Sequence, residues 1–301
     1  MTATRSDTPS PGHPRHPATV VPMSVYDLGR SRRVVRPSPL FLAFLAATAV
    51  GGVVAWQQNG FGARLGDVGV FLFVIGGWVV SLCLHEFAHA YAAYRAGDRS
   101  VEARGYLSLN PFKYTHPLLS IILPLFFIIQ GGIGLPGGAV YLHPHAFRSK
   151  AMRSVAAGVG PAVNIALGAA LLIAARSHGF TGHLLILTTG QPNELPDHLR
   201  FWSGLAFLGF LQITAAVLNL LPIPGLDGYA IIEPYLDPQT RATGEKIKPW
   251  GMIGVIVLLQ LNTLNDQFFR LVYNICDLFG DTSGLSALGH EFFKFWVKNP
   301  Y

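Results

Sequence analysis

Six stretches of this 301-residue chain contain no Asp, Glu, Lys or Arg: Pro39 to Trp56, Val68 to Leu84, Leu118 to Leu142, Ser154 to Ala175, Phe201 to Leu226 and Trp250 to Asn265. A helix needs roughly 17 to 25 apolar residues to cross a hydrocarbon core about 30 Å thick, and most of these windows approach or exceed that length. The 20 Phe and 5 Trp would also suit a large soluble core, so the placement of charge decides. Only 13% of the chain is charged, against about 25% in an average soluble protein. The expected fold is an all-α polytopic membrane protein with about five transmembrane helices.

The net charge of +6 does not point to nucleic acid, because the basic residues flank apolar windows and no recognition motif accompanies them. Arg5, Arg15, Arg30, Arg32, Arg33 and Arg36 all precede the first window, the pattern of a cytoplasmic flank. Residues 1–37, interrupted by Pro9, Pro11, Pro14, Pro17 and Pro22, read as a disordered basic cytoplasmic tail. A membrane-embedded domain follows over 38–265, and the amphipathic run from Phe268 to Tyr273 marks 266–301 as a C-terminal segment lying along the interface. Ala47 and Ala49 mimic a signal-peptidase site, but the apolar run continues to Trp56, so an uncleaved first helix is expected. Two cysteines, Cys83 and Cys276, supply no disulfide framework.

With the tail inside, the first helix runs outward and the second runs back inward to about Gly97. Arg148, Lys150 and Arg153 put the start of the Ser154 helix on the same inner side, so both ends of Leu118–Leu142 lie inside. A re-entrant hairpin broken at Pro124, Gly131, Gly132, Gly134, Pro136, Gly137 and Gly138 meets that parity, and two short crossings are the alternative. The Phe201 helix then returns inward near Pro222, and a last crossing starts from about Trp250.

His85-Glu86-Phe87-Ala88-His89 carries the chemistry, at the inner end of the second helix. Positions i and i+4 share a helix face, so two imidazoles can reach one zinc while the intervening Glu stands beside the activated water. Short matches of this kind arise by chance on exposed helices. Here Leu82, Cys83 and Leu84 precede it, and ionisable groups at that depth mark function or pairing. A catalytic zinc takes a third protein ligand and leaves one position open. Asp227, directly after the Phe201–Leu226 window and on the same side, is the best candidate; Glu102, Asp237, His143 and His145 are weaker ones.

Three motifs together resemble the site-2 protease family of intramembrane zinc metalloproteases: His85-Glu86-Phe87-Ala88-His89, the Ala157–Asn164 stretch AGVGPAVN, and Asn219-Leu220-Leu221-Pro222-Ile223-Pro224-Gly225-Leu226-Asp227-Gly228. The resemblance covers about residues 68–237, the expected catalytic core. It implies that His85, His89 and Asp227 hold one zinc per chain, that Glu86 is the catalytic acid/base, and that Asn219 faces the active site and steadies the developing oxyanion. A capping or interhelical hydrogen bond is the other reading of Asn219. Gly160, Pro161 and Asn164 read as close helix packing. No segment matches the PDZ or cystathionine-synthase-like modules that many members carry.

The expected activity is therefore an endopeptidase cutting transmembrane segments of other proteins in the bilayer, with the N-terminus and the site's opening cytoplasmic. A non-proteolytic zinc-binding scaffold is the competing reading. The oligomeric state is not written in the sequence.

Overall fold

The computed structural model describes residues 35–58, 64–114, 143–177, 197–279 and 283–297. The chain divides into two units at residues 33 and 34, and the described residues all belong to the second. The tail over 1–34, the expected re-entrant hairpin and most of the loop after Arg176 lie outside the described residues.

Four described helices are long and apolar enough to cross a membrane: α1 (Pro39–Gln57), α2 (Arg64–Ala96), α3 (Lys150–Arg176) and α4 (Leu199–Asn219). Local chemistry sets their starts. The Ser38 side chain accepts from the Phe41 amide with Pro39 at the first turn, and Ser149 does the same for Met152 at the head of α3. Pro161 sits inside α3, where the missing N–H leaves one carbonyl without its helical donor.

Helix directions follow from which residues meet. A Cβ added to Gly51 of α1 would lie 2.8 Å from the Gly69 carbonyl of α2, and one at Gly76 would lie 3.0 Å from the Thr48 amide, so α1 and α2 run antiparallel. Gly66 faces Arg200, Gly77 faces Leu208 and Ser81 bonds Gln212, so α2 and α4 run parallel. Asn164 meets His85 and Gly168 meets Gln212, so α3 opposes both. The small residues matter because lipid offers no hydrophobic drive between helices, and close backbone approach supplies the dispersion contacts instead. The share of the most apolar window that is buried is 89% in α4 and 22% in α1, so α4 is the axis of the bundle and α1 its edge.

The antiparallel pairing of α2 and α3 puts the C-terminal end of α2 beside the start of α3. The described flanks of the hairpin region are tied to the C-terminal half of α2 and to the residues just past its end. The Tyr114 hydroxyl donates to the Cys83 carbonyl at 3.3 Å, and the His143 amide donates to Asp98 Oδ2 at 2.9 Å. Burial pulls the Asp98 carboxyl up, but donors from the Ser100 side chain, the His143 amide and the Ser100 amide outweigh it and hold the group below the usual carboxylate range.

After α4, Pro222 and Pro224 end the helix and the chain turns into α5 (Asp227–Ile232) and α6 (Pro238–Ile247), the latter capped by Asp237. The crossing expected from Trp250 differs. α7 (Gly251–Leu259) has nine residues, about 13.5 Å at 1.5 Å per residue, less than half a bilayer core. It breaks at Gln260, where Asn265 Nδ2 donates to the Leu259 carbonyl at 2.8 Å, and α8 (Asn262–Asp277) continues past the expected boundary at 265/266. Its apolar face turns toward the bundle, with Phe269 and Tyr273 stacked on Phe210 halfway along α4. α9 (Ser283–Phe293) then packs on the first half of α4, with Phe293 against Phe207 and against Phe71 of α2.

Candidate metal centre

His85 and His89 stand one turn apart on α2, and Asp227 reaches them from the first position of α5. Their donor atoms form a small triangle: His85 Nε2 to His89 Nε2 is 3.0 Å, and Asp227 Oδ2 is 3.3 Å from the first and 3.4 Å from the second. A tetrahedral ion about 2.0 to 2.1 Å from each donor sets its ligands about 3.3 to 3.4 Å apart, which the two edges to Asp227 match, while the edge between the imidazoles, at 3.0 Å, is shorter.

Hydrogen bonding fixes which nitrogen faces the centre. His89 Nδ1 lies 2.7 Å from the Ala156 carbonyl, and His85 Nδ1 lies 3.3 Å from Asn164 Oδ1. A carbonyl oxygen only accepts, so each Nδ1 is the donor to its partner and each ring turns its Nε2 toward the centre. Asp227 Oδ2 is buried, and the two Nε2 atoms are the polar groups that face it. Two imidazole nitrogens and a carboxylate oxygen thus converge on one point, a donor set that suits a divalent cation.

One face of α3 builds the wall behind the imidazoles. Ala156, Gly160 and Asn164 recur every fourth residue, matching the spacing of His85 and His89 across the interface. Gly160 is bare where a Cβ would collide with His89 Nε2 and lie 2.7 Å from His85 Cε1. This corrects the reading of Gly160 and Asn164 as helix packing alone: one leaves room at the donor atoms and the other orients a ring. The matched four-residue spacing was the signal in the sequence. Asn164→Ala is expected to weaken zinc binding ten- to a hundredfold, the usual cost of losing a group that orients a ligand, while Asn164→Asp, which still accepts from Nδ1, keeps most of it; a competitive chelator titration of the purified variants measures both.

Asp227 is placed by the turn before it and by tethers after it. Gly225 has φ +104°, which favours glycine, and Gly228 packs so close to the Leu220 carbonyl that no side chain fits. Ser154 Oγ donates to the Ile231 carbonyl at 2.6 Å, and Arg153 pairs with Glu233 at 2.7 Å, which fastens α5 to the head of α3. The Asp227 side chain is 23% exposed while those of His85 and His89 are 6% and 7%, so the site opens on the carboxylate's side.

Glu86 is buried, at 2% exposure, and stands outside the triangle. Asn219 is buried at the end of α4, on the near side of the Leu220–Leu226 turn from Asp227, and no hydrogen bond among the described residues joins it to the three donors. Nor do Glu102, Asp237, His143 or His145 join the group; Asp237 is occupied by the Gln239 and Thr240 amides.

The chain is similar to proteins named as zinc metalloproteases. The chain is 49% identical to "Putative zinc metalloprotease Rip2" of Mycolicibacterium smegmatis over 88% of its own length and 96% of the relative's. Its counterpart of the same name in Mycobacterium tuberculosis H37Rv is 48% identical over the same shares. YwhC of Bacillus subtilis 168, named in the same terms, is 33% identical over 60% of this chain and 76% of the relative. No family model matches, and no solved structure does. Close likeness over nearly the whole of these relatives, in an all-α chain with four membrane-length helices, assigns the protein: it belongs to the site-2 protease family of zinc metalloproteases.

Proposed function

We propose that the chain is an intramembrane endopeptidase that hydrolyses peptide bonds in or near transmembrane segments of other membrane proteins, with His85, His89 and Asp227 as ligands of one zinc. The observation that carries the reading is the triangle of converging donor atoms, 3.0 to 3.4 Å on a side, two of them on a helix long and apolar enough to cross a membrane. Zinc, when bound, supplies Lewis-acid activation of water at neutral pH. Glu86, adjacent to His85, takes the proton from the attacking water and returns it to the leaving amine. Asn164 and the Ala156 carbonyl hold the two rings in the tautomer that keeps both Nε2 atoms available. Asn219 donates to the developing oxyanion; its burial beside the turn that delivers Asp227 supports that role. A client helix must unwind locally to present a carbonyl, and water enters on the Asp227 side, which is cytoplasmic if the tail is.

The reading is tested by comparing membrane-protein fragments from cells expressing the wild type or His85→Ala. New termini that map inside apolar spans, present only with the wild type, are expected. Wild-type cells that keep zinc on the protein yet yield no such termini would instead identify a zinc-binding scaffold.

A further inference from the structure

α8 crosses the level of Phe210, eleven residues into the 21-residue α4, so it lies at mid-bundle depth. Val272 and Cys276 are buried on one face, with Phe268, Phe269 and Ile275 half-buried beside them. The opposite face carries Asp266, Gln267, Arg270, Asn274 and Asp277, all exposed. Among the described residues none of the three charged groups makes an ion pair. α7, just before the break, differs: among its described side chains the exposed ones are Ile253, Val257 and Leu258, as lipid requires.

Charged and amide groups at that depth are retained only when something polar covers them. Lipid tails offer no donors or acceptors, and an apolar client span offers few. The stripe is complementary to itself. Asp266 and Arg270 stand one turn apart, so a two-fold axis along the membrane normal brings each Arg270 within a turn of the other copy's Asp266, with Asn274, the next turn on, near the axis. We propose that the polar face of α8 is the interface with a second copy of this chain, closed by two reciprocal Asp266–Arg270 pairs inside the membrane. The proposal is independent of the proteolytic reading.

Asn274→Cys, oxidised in native membranes, tests it. A disulfide-linked band at twice the 32.6 kDa chain mass is expected, absent in the wild type, whose Cys83 and Cys276 are buried, and absent for Ile253→Cys on the lipid-facing side of α7. Arg270→Asp should abolish the band, and adding Asp266→Arg should restore it by reversing both charges, which separates lost pairing from misfolding. No band, an equal band from Ile253→Cys, or a double reversal that stays monomeric overturns the proposal. So does labelling of Asn274→Cys by a water-soluble maleimide without competition from cross-linking, which would show a stripe facing water.

Discussion

Gly160→Ala is expected to purify without zinc and without activity, although it adds one methyl group. The new carbon would point at the two Nε2 donors, where it collides with His89 and comes within 2.7 Å of His85 Cε1. Neither ring can withdraw, because the Ala156 carbonyl fixes one and Asn164 fixes the other. Overpacking of about 1 to 3 kcal/mol falls on protein stability, but the larger loss is of the space for an ion. Gly158→Ala is the control. Its Cβ would meet Ile231 Cδ1 at 3.7 Å, an ordinary contact, so that variant should keep zinc and rate. Metal content and cleavage rate of the pair, measured side by side, separate a requirement at the metal from a general requirement for small residues on α3.

Glu86→Gln is expected to split the same two readouts. Glu86 lies outside the donor triangle, so zinc should remain at the wild-type ratio. The amide cannot accept a proton from water, and losing a positioned general base typically removes about 10² to 10⁴ in rate. With KM for a cleavable client nearly unchanged, the loss belongs in kcat, since the contribution is made only as the bond breaks. A variant that loses zinc and rate together would make Glu86 a structural or ligating group.

Much of this was legible in the sequence because lipid simplifies the rules. An absence of charge over 17 or more residues favours a membrane-crossing helix, and four such windows became α1 to α4. The i, i+4 histidines could only share a helix face, and the uncharged window ending at Leu226 put Asp227 at the matching depth. Less visible was anything decided between helices. The α1 and α4 windows are both free of charge, yet one is the edge and the other the axis of the bundle, where Gly204 and Gly209 of α4 pack against α2 and α3. The break at Gln260 was missed because counting charges ignores amides. Asn262 and Asn265 are uncharged but offer the backbone other hydrogen bonds, and one of them caps α7. Asn164 looked like a packing residue because its partner, His85, is 79 positions away in the chain.

Zinc X-ray absorption on the purified wild-type protein tests the centre most directly. The account predicts one zinc per chain with a first shell of nitrogen and oxygen only, two imidazoles among them, and loss of the bound metal in Asp227→Ala. A sulfur scatterer from Cys83, or stoichiometric zinc retained without Asp227, would contradict it.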